Sequence, residues 1–226
     1  DGTLYRDSLM VEHFKKLIKY DIIDQKAWFE HARDTFMDWD KRQGHYDDYL
    51  DEICDLYVKS LIGLDKTCID FTSDQVIKLK SDRVYKYTRS RIKWHLDNNH
   101  IVIFISGSPG FLVENVTDCI GSNYLFENEM FNGTVIPMWD SRSKNTAIDS
   151  FVEKYDIDLN KSYAYGDTNG DINMLRRVGN PIAINPTKEL LSHIASDPVI
   201  SKTSQIIVER KDIIYSLSPN VDILDI

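Results

Sequence analysis

Apolar positions recur at helical offsets through the first third of the chain. Met10, Phe14, Leu17 and Ile18 form one set, Trp28, Ala32 and Phe36 a second, and Tyr49, Ile53, Leu56 and Tyr57 a third. Each set lies on one face of a 3.6-residue helix. Polar breaks at Gln43-Gly44 and Gly63 divide the helices, and no proline occurs before Pro109, which suits a helical module. From about Ser81 the pattern becomes an alternation of helices and strands. Residues 82–98 present Val84, Tyr87, Ile92 and Leu96 and predict a helix stopped by Asn98-Asn99. The unbroken apolar run Ile101–Ile105 predicts a buried strand of a parallel sheet covered on both faces. Beyond it the spacing predicts a helix opening at Pro109 and closing at Gly121, and a hairpin pairing 124–126 with 134–138 across Asn132-Gly133. A helix over 144–155, a strand over 162–165, a helix over 172–178 and strands at 182–184 and 205–208 complete the pattern. The texture is that of an α/β fold with a helical unit in its first part.

Composition narrows the partners. The 226 residues carry 27 Lys plus Arg against 36 Asp plus Glu, a net charge of -9, and no sustained basic cluster overrides that field, so nucleic acid is not an expected partner. With 42% apolar residues the chain is rich enough to fold around a sizeable core. No window approaches the roughly 18 to 20 apolar residues that span a bilayer, and the first residues lack the basic flank and apolar run of a signal peptide, so no membrane partner and a cytosolic location are expected. Cys54, Cys68 and Cys119 are widely spaced and read as reduced thiols. The six histidines show no metal-ligand spacing, and Trp28, Trp39 and Trp94 read as packing residues. The sequence leaves the oligomeric state open.

Three polar, glycine-flanked turns hold the candidate chemistry. Asp1-Gly2-Thr3 opens the chain, Ser106-Gly107-Ser108 follows one predicted strand, and Gly166-Asp167-Thr168-Asn169-Gly170-Asp171 follows another. In open α/β sheets ligands bind at the carboxyl ends of strands, so the three turns converge there. Carboxylates brought together from different strand ends repel one another unless a cation lies between them, and a hard divalent ion such as Mg2+ takes oxygen ligands and bridges them to phosphate. Asp1, Asp167 and Asp171 are the candidate metal residues. Ser106, with the backbone N–H groups of Gly107 and Ser108, is placed to hold phosphate oxygens. Lys144 puts a cation near the start of a helix, where the macrodipole disfavours it, so helix stability does not explain it. Arg6 is close enough to the first turn to reach an anionic substrate.

In this order the residues resemble the haloacid dehalogenase superfamily, specifically its phosphoserine-phosphatase-like branch, over nearly the whole chain. DGTLYRD is similar to the superfamily's first motif, Asp-x-Asp-Gly-Thr, from its second Asp onward. IVIFISGS matches the second motif, Lys144 in SRSKNTAIDSF the third, and AYGDTNGDINMLRRVGNPIAINP the fourth. The resemblance implies a Rossmann-like parallel sheet core formed by residues 1–8 and 81–226, with a helical cap, residues 9–80, inserted between the first and second motifs. It also implies a magnesium-dependent phosphatase that hydrolyses a small phosphomonoester through an aspartyl-phosphate. Asp1 would be the general acid and base, Ser106 and Lys144 would bind the phosphoryl group, and Asp167 and Asp171 would serve the metal.

The chain departs from the family pattern in two ways. The nucleophilic Asp of the first motif would stand two residues before Asp1, on a strand central to the family's sheet; without that strand the sheet is left with two edges. Phosphoserine phosphatases carry a Glu that holds the substrate ammonium where this chain has Ser8, and an Asn before the last Asp where it has Gly170, with Asn169 one place earlier. Phosphoserine is therefore not the expected substrate, although Asp7 is adjacent. The alternatives are a non-catalytic phosphate-binding or regulatory protein that retains the fold and, with a poorer fit in length and motif set, a phosphoacceptor receiver domain.

Overall fold

The structure is a computed structural model that describes residues 1–114 and 118–222. Five helices occupy the first part: α1 (Leu9–Lys19), α2 (Lys26–His31), α3 (Arg33–Asp40), α4 (Tyr46–Leu61) and α5 (Lys66–Lys80). Ser8 caps α1 by accepting from the Val11 N–H, and Asp65 caps α5 through the Thr67 N–H at 2.7 Å. The set Trp28, Ala32 and Phe36 falls on two helices rather than one, because the backbone leaves helical geometry at Ala32, with φ −122°. Phe14, Leu17, Ile53, Tyr57, Leu61 and Ile69 are at most 1% exposed, and their cluster continues into Leu112, Tyr124 and Phe131 of the later chain.

The helical segment leaves and returns at one place. Tyr5 and Val84 form an antiparallel bridge, the Arg6 N–H donates to the Arg83 carbonyl at 3.0 Å, and the Tyr85 N–H donates to the Leu4 carbonyl at 2.9 Å. Lys80 adds ion pairs to Asp7 at 3.1 Å and Glu12 at 2.7 Å, and Arg83 reaches Asp7 at 3.6 Å.

The remainder is built on two sheets. One has the order β1 (Phe104–Pro109), β2 (Cys119–Glu127), β3 (Met130–Ile136); the other runs β4 (Tyr163–Gly166), β5 (Asn180–Ile184), β6 (Gln205–Arg210), β7 (Ile213–Leu217). β1 pairs with β2 in parallel, β4, β5 and β6 are mutually parallel, and β3 and β7 are antiparallel additions. β1 and β4 each stand at one end of their sheet. Helices α6 (Lys86–Asp97), α7 (Gly110–Val113), α8 (Ser141–Tyr155), α9 (Ile172–Arg177), α10 (Lys188–Ser196) and α11 (Ile200–Thr203) connect the strands. The architecture is α/β with parallel strands and an inserted helical segment.

Several sequence expectations are corrected. The strand expected at 101–105 begins only at Phe104, and Ile101 is 51% exposed; among the described residues β2 is the one strand paired with β1, and its register reaches back no further than Phe104. The helix expected from Pro109 to Gly121 is the single turn α7, and Gly121 lies within β2; residues 115–117 of that expectation fall outside the described residues. The hairpin forms, but its turn is at Asn128-Glu129, both with positive φ, rather than at Asn132-Gly133. Gly133 (φ +89°) sits where the pairing register shifts inside β3, a bulge that glycine accommodates. On α6, which starts four residues later than expected, Thr88 and His95 are buried while Leu96 is 59% exposed. The polar side chains can be buried because Thr88 donates to the Thr3 carbonyl at 2.7 Å and His95 bonds Tyr165 and His100.

Candidate active site

The carboxyl ends of β1 and β4 face the first turn of the chain, which joins them. Asp1 Oδ2 accepts from Ser108 Oγ at 2.8 Å, from the Leu9 N–H at 2.9 Å and from Ser8 Oγ at 3.2 Å. The carboxylate thus lies at the N-terminus of α1, where free N–H groups favour an anion. Its other oxygen, Oδ1, is buried without a partner. Two residues on, Thr3 Oγ1 donates to Asp167 Oδ1 at 2.6 Å. Between them Gly2, at φ +73°, allows a close approach: a methyl group there would fall 1.8 Å from Asp167 Oδ2.

The loop after β4 is organised by Asp171. Its Oδ2 accepts from the Asp167 and Thr168 N–H groups at 3.0 and 3.3 Å, closing a capping box with Thr168. Its Oδ1 accepts from Lys144 Nζ at 2.5 Å, and both side chains are buried. Lys144 reaches it from the second turn of α8, whose N-cap Asp140 takes the Arg142 and Ser143 N–H groups. Asp167 is pushed up to about 6, first by burial and then by the charge of Asp171. Burial raises the Tyr46 hydroxyl, and the charge of Asp167 contributes next.

The sequence-predicted residues thus fall into two linked groups: Asp1 with Ser108, and Asp167 with Asp171 and Lys144, tied by Gly2 and Thr3. Ser106 accepts from the Ser108 N–H at 3.2 Å, and Gly107 packs on Trp139. Arg6 is exposed and makes no hydrogen bond or ion pair with the others. Thr3 and Trp139 were not singled out by sequence; the only signal for Thr3 was its place in the DGT run. Cavities of about 510 and 300 Å3 lie elsewhere, around Asn185 and Arg91, and none of these residues lines them.

A divalent cation fits the donor set. Asp167 Oδ2 is not taken up by Thr3, its carboxylate is held above its ordinary range by burial and a neighbouring anion, and Asp1 Oδ1 is an orphaned acceptor. Among the described residues no three His, Cys, Asp or Glu side chains are grouped to hold a metal by themselves, so backbone or further oxygen donors would complete the set.

Comparison with known proteins identifies the family. The family profile of haloacid dehalogenase-like hydrolases matches residues 1–176. A phosphoserine phosphatase of Mycobacterium tuberculosis is 27% identical over 126 residues, covering 53% of this chain and 40% of its own length; the chain spans about two fifths of the curated relatives it matches. A Bordetella pertussis protein of unknown function superposes with a TM-score of 0.69 at 15% identity, over 91% of this chain and 94% of that one. A substrate-bound phosphoserine phosphatase does so at 0.59 and 16%, over 94% and 90%. With its four motif regions in order and the family profile covering residues 1–176, this chain belongs to the haloacid dehalogenase-like hydrolase family.

Proposed function

We propose that the protein is a Mg2+-dependent phosphomonoesterase that works through an aspartyl-phosphate. The observation that carries this reading is the convergence of Asp1, Ser108, Lys144, Asp167 and Asp171 at the carboxyl ends of β1 and β4. The nucleophile would be an Asp two residues before Asp1, attacking phosphorus in line. Asp1, held by Ser108 and the start of α1, would donate a proton to the leaving oxygen and then take one from the attacking water. Lys144 would neutralise the phosphoryl oxygens, with Ser106 and the Gly107 and Ser108 N–H groups around them. Asp167 would ligate the cation together with the Asp1 carbonyl and the upstream Asp. Asp171, both of whose oxygens are engaged, would orient Lys144 and the loop. The bound cation supplies charge neutralisation of the transferring group.

Residues 9–80 would act as a lid that excludes water and selects the leaving group. The nearby carboxylates do not favour phosphoserine: Asp7 and Glu12 share Lys80, and Ser8 caps α1. The test is a panel of phosphomonoesters assayed with and without Mg2+, on protein carrying its upstream region. Turnover that needs Mg2+ and an Asp two residues before Asp1 is expected. Another residue at that position, with phosphate binding but no turnover, would refute the enzyme and favour a binding module.

A further inference from the structure

Trp139 is fixed between two loops of the site. A methyl group on Gly107 would stand 2.9 Å from Trp139 Cβ, and one on Gly170 would stand 2.7 Å from the Trp139 carbonyl oxygen. Both contacts are closer than side chains tolerate, so each glycine exists for Trp139 to approach. The neighbouring backbone is tied down: the Met138 N–H donates to Ser122 Oγ at 3.0 Å, and that hydroxyl donates to the Gly107 carbonyl at 2.7 Å. On the other side Ser141 Oγ reaches the Gly170 carbonyl at 3.4 Å. The indole therefore springs from a Cβ set against the loop that carries Ser106 and Ser108.

Trp139 is 48% exposed. The other tryptophans have partners: Trp28 and Trp39 pack in the aromatic cluster of α2–α4, and Trp94 lies under Arg91 at 4.1 Å. Trp139 touches no aromatic ring or cation among the described residues. A half-exposed tryptophan whose backbone and Cβ are set against two loops of the proposed reaction centre has apolar area left for a ligand to cover.

We propose that Trp139 is a specificity-determining residue, a platform on which the leaving group stacks, and that the preferred substrates are phosphomonoesters of planar, aromatic or heteroaromatic alcohols. This rests on the phosphomonoesterase reading and deepens it. The pairing of Asp7 and Glu12 with Lys80 fits a leaving group that carries no ammonium.

The experiment compares wild type, Trp139→Ala and Trp139→Phe, each with the upstream region, on phenyl phosphate and glycerol phosphate. Trp139→Ala should lower kcat/KM for phenyl phosphate about 10-fold, which corresponds to about 1.4 kcal/mol, with a loss at least fivefold smaller on glycerol phosphate. Trp139→Phe should recover most of the difference. Equal losses on both esters, or none on either, would overturn the platform. Affinities for phenylphosphonate and methylphosphonate give a readout independent of turnover. A wild-type preference for the phenyl compound that Trp139→Ala abolishes supports the inference even if neither ester is hydrolysed, an outcome that would instead refute the phosphatase reading. No such preference in wild type overturns the inference.

Discussion

Removing Lys144 alone should destabilise the protein far more than removing Lys144 and the charge of Asp171 together. The two side chains are 9% and 7% exposed and meet at 2.5 Å. At that distance the gross attraction is about 6 to 7 kcal/mol for an effective dielectric constant of ~20, and desolvation of both ions cancels most of it. The net worth of the pair is therefore small, but an orphaned partner is expensive, at about 3 to 5 kcal/mol. Lys144→Met leaves Asp171 Oδ1 buried and unpaired. Asp171→Asn leaves the ammonium facing an amide, although the remaining oxygen can still take the Asp167 and Thr168 N–H groups. In the double variant neither charge is present, and the loss should be smaller than in either single variant.

Urea unfolding of the four proteins reads this directly as a double-mutant cycle. Each single variant should lose about 3 to 5 kcal/mol, equivalent to roughly 6 to 20 °C in Tm for a chain of this size, with a coupling energy of at least about 3 kcal/mol. Additive losses, or singles within about 1 kcal/mol of wild type, would show that the pair is hydrated and that Asp171 does not depend on Lys144. Turnover should be lost in every variant lacking Lys144, including the stable double, which separates its role toward the phosphoryl group from its role in the fold.

Asp167→Asn should abolish Mg2+-dependent turnover with the fold retained, and unchanged activity at limiting Mg2+ would remove Asp167 from the metal site. His13 is fully buried, bonded to Tyr57 and Thr72 at 2.6 Å each, and lowered to about 4 chiefly by desolvation. Its proton is taken up by the unfolded chain near pH 6.5 but by the folded chain only near 4, so stability is complete above about 6.5 and is lost as pH falls towards 4. The loss between pH 7.5 and 5 is about 2 kcal/mol; a His13→Gln variant whose stability falls as steeply over that range would contradict it. Phosphoserine should be favoured less than about 100-fold over phosphomonoesters without an amino group; a larger ratio in kcat/KM would mean that Asp7 leaves Lys80 to hold the ammonium.

The sequence was most readable where one residue type does one local job. Helices α1, α4 and α8 follow their apolar spacing, and the loop from Gly166 to Asp171 follows its strand as the glycine and aspartate pattern requires. What spacing could not show depends on distant partners. Helix α10 and strand β7 went unassigned; β7, 36 to 47% exposed at Ile213, Ile214 and Tyr215, is defined by its pairing with β6 rather than by alternation of buried and exposed positions. The hairpin turn was misplaced because Asn132-Gly133 is a strong local turn signal, whereas the positive φ at Gly133 serves a bulge. The buried stripe of α6 is shifted rather than lost: Tyr87 and Ile92 stay half-buried, while His95 and Thr88 are buried by hydrogen bonds that no hydropathy pattern registers and Leu96 is exposed.

The site shows the same division. Asp1, Ser108, Lys144, Asp167 and Asp171 stand out as charged or hydroxylated residues in recognisable spacing, but what fixes them is backbone proximity. Gly2 allows Asp1 and Thr3 to close on Asp167, joining the end of β4 to the end of β1 through Ser108. Gly107 and Gly170 close on Trp139 in the same way and fix the segment that leads into α8 and Lys144. An Asn at 170, which the phosphoserine-phosphatase pattern carries, would press its Cβ on the Trp139 carbonyl at 2.7 Å. The glycine that breaks the family pattern and the tryptophan that no motif contains are one feature, and the chain's substrate preference should differ from that pattern at the point where these two residues meet.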